Sequence, residues 1–93
     1  MTAERNLWCA AVISWLDDYN ARYCRAIRKG EDPAPILAEA RSYFAGRHGR
    51  ERLALAGMDI SPSQITAAIA MPRKAFKARM LLGPKRHDER EAA

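Results

Sequence analysis

The sequence predicts an all-α fold, a single small domain of five helices joined by short connections. Apolar residues recur at intervals of three and four, and no stretch alternates apolar and polar residues as a half-buried strand does. Of the 93 residues 48% are apolar, whereas Gly and Pro number only five each, a balance that favours helices over loops. Gly30, Gly46, Gly57 and Gly83 each close one of the periodic stretches. A chain of this length builds one small core.

The first helix is expected from about Ala3 to Lys29, with Thr2 as cap, Glu4 at the positive end of its dipole and Gly30 after Arg28-Lys29. Trp8, Val12, Trp15, Tyr19, Tyr23 and Ile27 form one stripe on it. Leu7, Ala11, Ile13 and Leu16 widen the apolar surface nearly around the cylinder in its first half. Such a helix is covered on more than one side, as a central pillar, by a second subunit, or by both. Asp17-Asp18 is expected to mark its exposed side.

The second helix starts at Asp32-Pro33, a cap followed by a proline at the first helical position, and ends at Gly46. Ile36, Leu37, Ala40, Tyr43 and Phe44 are its inward residues. Arg47-His48-Gly49 then reads as a short basic linker, His48 as an exposed loop residue, and a third helix spans Arg50 to Ala56. Ser61, Pro62 and Gln64 make a capping box for the fourth helix, with Ile60 and Ile65 placed as a hydrophobic staple. That helix reaches about Ala70. Met71-Pro72 restarts the chain into a fifth helix, Arg73 to Leu82, closed by Gly83-Pro84. Residues 85–93 lack the large apolar side chains of a core and read as a frayed or disordered tail.

The apolar run from Leu7 to Leu16 is about half of the roughly 20 residues needed to span a bilayer. It also lacks signal-peptide flanks, so the expectation is a cytoplasmic protein. Cys9 and Cys24 on one helix stand about 22 Å apart, beyond disulfide reach, and are expected to be small buried thiols. Neither cysteine combines with His48 or His87 in a metal-ligand spacing, and no metal or other cofactor is expected. There is no glycine-rich phosphate loop and no nucleophile–base pair, so the chain is not expected to be an enzyme.

Charge divides sharply along the chain. Residues 1–46 carry six basic and six acidic side chains, whereas residues 47–93 carry ten and five, so the whole excess of +5 lies in the second half. A neutral support or dimerisation part (1–46), a polyanion-facing part (47–84) and the tail (85–93) follow from this division.

Residues 65–80 resemble the helix-turn-helix family in their spacing. Ile65, Ile69, Met71 and Phe76 fall where that motif has its main buried residues, Thr66 takes its small-residue position, and Met71-Pro72-Arg73 is similar to the entry of many recognition helices. The sequence departs at Ala70, where glycine is usual, and at Arg79, where an apolar residue is usual. The resemblance implies a C-terminal trihelical helix-turn-helix core whose last helix enters the major groove of DNA. Arg73, Lys74 and Lys77 would lie on its free face, joined by Arg79, to reach base edges or phosphates. Ser61, Ser63 and Gln64 would donate to a phosphate at the start of the preceding helix, and Arg47, Arg50, Lys85 and Arg86 complete the candidate DNA-binding surface. A competing register puts the turn at Gly57 and makes Ser63–Ala70 the recognition helix, which has no charged residue.

The opening Leu7-Trp8-Cys9-Ala10-Ala11-Val12 with EARSYF and LALAG also resembles small helical proteins of prophages and gene-transfer-agent-like clusters. The expected function is thus a small sequence-specific DNA-binding protein of phage-regulator type, a possible homodimer through its first helix, bound to double-stranded DNA. The alternatives are an adaptor for RNA polymerase or another protein, and a terminase-like packaging component.

Overall fold

The computed structural model describes residues 2–82, with side chains from 4 to 80. The expected tail, with Lys85 and Arg86, lies outside the described residues, as does the capping role expected of the Thr2 side chain. Helix α1 spans Thr2–Lys29, α2 Ala34–Ala45, α3 Arg47–Leu55, α4 Pro62–Ile69 and α5 Arg73–Phe76. No strand occurs among the described residues, so the fold is all-α as expected. None of these helices is long and apolar enough to cross a membrane.

Helix α1 is the pillar: all four other helices pack against it, and α2 also packs on α3 and α4. The core is a single cluster to which α1 gives Val12 and Leu16, α2 gives Ala40 and Phe44, and the later helices give Leu53, Ile65, Ile69 and Phe76. The parts expected to divide at residue 46 therefore share one core. Because α1 is covered on two sides, its most buried line is Val12–Leu16–Asn20, an i, i+4, i+8 row. The expected aromatic stripe lies beside that row. Trp8, Trp15, Tyr19 and Tyr23 are only half-buried, and Ile27 is 53% exposed.

Local chemistry sets the helix starts. The Asp32 carboxylate accepts from Ala34 N–H (3.0 Å), so it caps α2 as expected, across a Pro33 that already has helical dihedrals. At α4 the capping box is complete: Ser61 Oγ accepts from Gln64 N–H at 3.1 Å, and Gln64 Oε1 accepts from Ser61 N–H at 2.7 Å. Ile60 and Ile65 line one groove, in keeping with the expected staple.

The stretch Arg47-His48-Gly49 corrects the expected linker, because it is the first turn of α3. Gly46 alone makes the corner, with extended backbone at φ −80 and ψ 177. The first turn of α3 then lies directly on the last turn of α2. A Cβ at Gly49 would sit 2.1 Å from Tyr43 O and 2.5 Å from Phe44 Cα, so only glycine allows the two backbones to approach.

The last helix also differs from expectation. One α turn, Arg73–Phe76, is followed by a wider π-helical stretch, Lys77–Leu82, in place of a regular α-helix over Arg73–Leu82. The segment runs back along α1: Cys24 and Ile27 line a cleft with Met71 and Pro72, whereas Ala10 and Ile13 line one with Met80. Phe76, fully buried between these ends, fixes the segment to the core.

Gly49→Ala is expected to destabilise the fold by at least the roughly 1–3 kcal/mol typical of overpacking, because the obstacle is backbone that cannot swing aside. Urea denaturation followed by circular dichroism measures this. A variant as stable as the wild type would mean that α2 and α3 are further apart.

Candidate nucleic-acid interface

The last turn of a helix leaves carbonyl groups without intrahelical partners. At the end of α4 a side chain from α1 meets them. Asn20, fully buried, donates from Nδ2 to the carbonyls of Ile69 and Met71, both at 2.9 Å. The Cys24 thiol adds a long contact to the Met71 carbonyl at 3.6 Å. The oxygen of Asn20 accepts from Arg73 Nη1 at 2.8 Å. One amide thus joins the end of α4, the turn and the first residue of α5 to the pillar. Its orientation is dictated by its neighbours, with carbonyls facing the NH2 group and a guanidinium facing the oxygen.

Arg73 is accordingly corrected from the free face of the last helix. It turns toward α1, where Nη1 also donates to the Asp17 carbonyl at 3.3 Å and lies 2.7 Å from Asp17 Oδ1. The two hydrogens of Nη1 are directed at Asn20 and the Asp17 carbonyl. The carboxylate contact is therefore ionic without a formed hydrogen bond, and Asp17 Oδ1 is a buried oxygen with no hydrogen-bond partner. Asp17 corrects in turn the expectation that Asp17-Asp18 marks an exposed side, since only Asp18 is exposed.

The other basic residues of this segment face outward. Lys74, Lys77 and Arg79 are exposed, and none has an ion-pair partner among the described residues. Arg79 stands at the edge of a largely apolar groove of about 410 Å3, with Gln64, Ala67 and Ala68 of α4 across from it. Ser61, Ser63 and Gln64 are exposed at the start of α4, although the Ser61 and Gln64 oxygens are held in the capping box. Arg47 and Arg50 are exposed on α3, a separate element that does not pack against α5.

The connection from α4 to α5 turns without a left-handed residue, Ala70 having φ −80 and ψ 2. Left-handed backbone occurs instead at Gly57, φ 71, between α3 and α4, and at Gly30, φ 74, after α1. Met71, one of the four residues expected to be buried, is half-buried, whereas Ile65, Ile69 and Phe76 are inaccessible.

A second surface lies on the α2–α3 side of α1. The Arg52 guanidinium sits 5.8 Å from the Trp8 ring and 5.9 Å from Trp15, and Trp15 meets Tyr43 edge-on at 6.2 Å. Arg22 bonds Glu39 at 3.1 Å and holds its carboxyl below the usual range by that hydrogen bond. Burial, then the Glu39 charge, raises the Tyr19 hydroxyl above its usual value.

No protein family, curated protein or solved structure matches this chain.

Sequence reasoning missed Asn20 and Asp17. The available signal was a lone amide in the Val12–Leu16–Asn20 row, a polar residue where the i+4 spacing calls for an apolar one. Asn20→Leu leaves the Ile69 and Met71 carbonyls without their amide donor and removes one acceptor from Arg73, which keeps only Asp17. It is expected to cost roughly 2–4 kcal/mol. Asn20→Asp should not rescue, because a carboxylate cannot donate to the carbonyls. Denaturant titration of both variants checks this, and a neutral Asn20→Leu would contradict the clamp.

Proposed function

We propose that the protein is a small regulator of phage type that binds double-stranded DNA through the basic face of its last helical segment. The observation that carries this reading is the division of labour among the four cations of that segment. Arg73 holds it to α1, whereas Lys74, Lys77 and Arg79 stand exposed without acidic partners among the described residues. Three cations on a short segment seated on a packed core suit phosphate contacts, which supply most of the affinity of non-specific DNA binding. The placement of Ile65, Ile69 and Phe76 in the core supports a helix-turn-helix-like arrangement, in which the exposed Ser63 and Gln64 side chains of α4 would add neutral contacts.

A second reading is favoured by the aromatic surface on α1. Trp8, Trp15, Tyr19 and Tyr43 are half-buried rings interleaved with Arg22 and Arg52, the residue types that dominate protein-binding hot spots. This surface belongs to the α2–α3 side of α1, so a protein partner there and DNA at α5 would not compete for the same residues.

The test is a fluorescence anisotropy titration of a labelled duplex at several salt concentrations. Replacing Lys74, Lys77 and Arg79 together by Ala should leave helicity and melting nearly unchanged, since all three are exposed. The log–log salt slope should shrink by about 0.9 for each phosphate contact removed. Binding that is equally strong and equally salt-dependent in the variant would move the DNA interface elsewhere, and no duplex binding by the wild type would favour the protein-partner reading.

A further inference from the structure

Every polar contact of Arg73 is made by one nitrogen. Nη1 meets Asn20 Oδ1, the Asp17 carbonyl and Asp17 Oδ1, and no bond from Nε or Nη2 is formed to any described residue. Those two nitrogens are not buried orphans either, because among the described residues Asp17 Oδ1 is the only buried side-chain oxygen or nitrogen without a hydrogen-bond partner. Each therefore keeps some contact with solvent, in keeping with a side chain 34% exposed. The Nε–Nη2 edge is the side of a guanidinium that takes two oxygens of one phosphate or carboxylate in parallel.

We infer that Arg73 is a pre-oriented oxyanion-binding residue, its inner nitrogen fixed by Asn20 and Asp17 and its outer edge presented to one phosphate of the DNA backbone. The inference rests on the DNA-binding reading for the identity of that phosphate, although not for the existence of the site. Three features carry it. A guanidinium whose plane is already fixed loses little rotamer freedom when it binds, unlike the exposed lysines around it. The Asp17 oxygen nearest the guanidinium, Oδ1, is buried and faces Nη1 rather than the Nε–Nη2 edge, so that edge stays open although the Asp17 side chain is itself 33% exposed. Lys77 follows at i+4 and Lys74 at i+1, both exposed, and supply the positive field that the Asp17–Arg73 pair alone lacks. Asn20 and Asp17 are then positioning residues, which act on the phosphate only through Arg73.

The Arg73 Nε–H resonance, assigned by its disappearance in Arg73→Lys, reports the outer edge directly. It would be followed by NMR in the full chain during titration with inorganic phosphate and then with a duplex. The inference expects the resonance to move in the duplex titration. It also expects Arg73→Lys, which keeps a cation facing Asp17, to lower the log–log salt slope by about 0.9, a change that a merely structural arginine would not produce. Movement with inorganic phosphate in a protein that binds no duplex would uphold the oxyanion site and overturn the DNA reading. A duplex that binds while the Nε–H resonance stays fixed would overturn the inference and leave the lysine-based interface standing. An unmoved resonance together with no duplex binding would overturn both.

Discussion

A buried amide on the central helix determines where the last two helices lie. Helix α4 is only eight residues long and α5 a single α turn, lengths at which helices have little stability of their own. Carbonyls that face the core at the end of α4 and in the turn after it must be satisfied. Asn20 meets this need with two hydrogen bonds at 2.9 Å, accepts a third from Arg73 at 2.8 Å and is itself inaccessible to solvent. Leucine at this position would add apolar burial, but it would leave the end of α4 and the start of α5 without a common anchor. The polar group fixes one arrangement of two helices that apolar packing alone would hold in several.

The same clamp links fold to function. Because Arg73 is held inward, the remaining cations of the segment are presented outward. The change from α to π geometry after Phe76 sets their spacing differently from a regular helix. Phe76 and the Asn20–Arg73 contact together act as a two-point fixing, one apolar and one polar, at the two ends of the single α turn. A basic surface seated this way keeps its pattern of charges, whereas a frayed helix would offer the same charges at no fixed spacing.

Much of the fold was legible because helix boundaries are local chemistry. The Ser61–Gln64 capping box, the Asp32 cap and the stop at Gly57 each involve residues within a few positions of one another, and each forms as the sequence suggests. What was not legible depended on contacts distant in sequence. Gly49 reads as a loop glycine in isolation, and its purpose appears only when α2 lies across it. Arg73 reads as surface until Asp17 and Asn20 stand opposite, 56 and 53 positions away. Of the covers expected for helix α1 the structure shows the pillar, and its aromatic residues mark the flank rather than the centre of the buried row. The exposure of Lys74, Lys77 and Arg79 was therefore legible, whereas the contacts that anchor Arg73 to α1 were not.

The side-chain amide of Asn20 offers the most direct measurement of the clamp. Its two Nδ2 protons are directed at the carbonyls of buried Ile69 and half-buried Met71. They should therefore give two well-separated NMR resonances that exchange with solvent far more slowly than those of Asn6, which is exposed. Slow exchange lost only on global unfolding would establish that α4 and α5 are pinned to α1 through this residue. Rapid exchange under conditions where the core amides of α1 remain protected would contradict it, and with it the placement of the basic face.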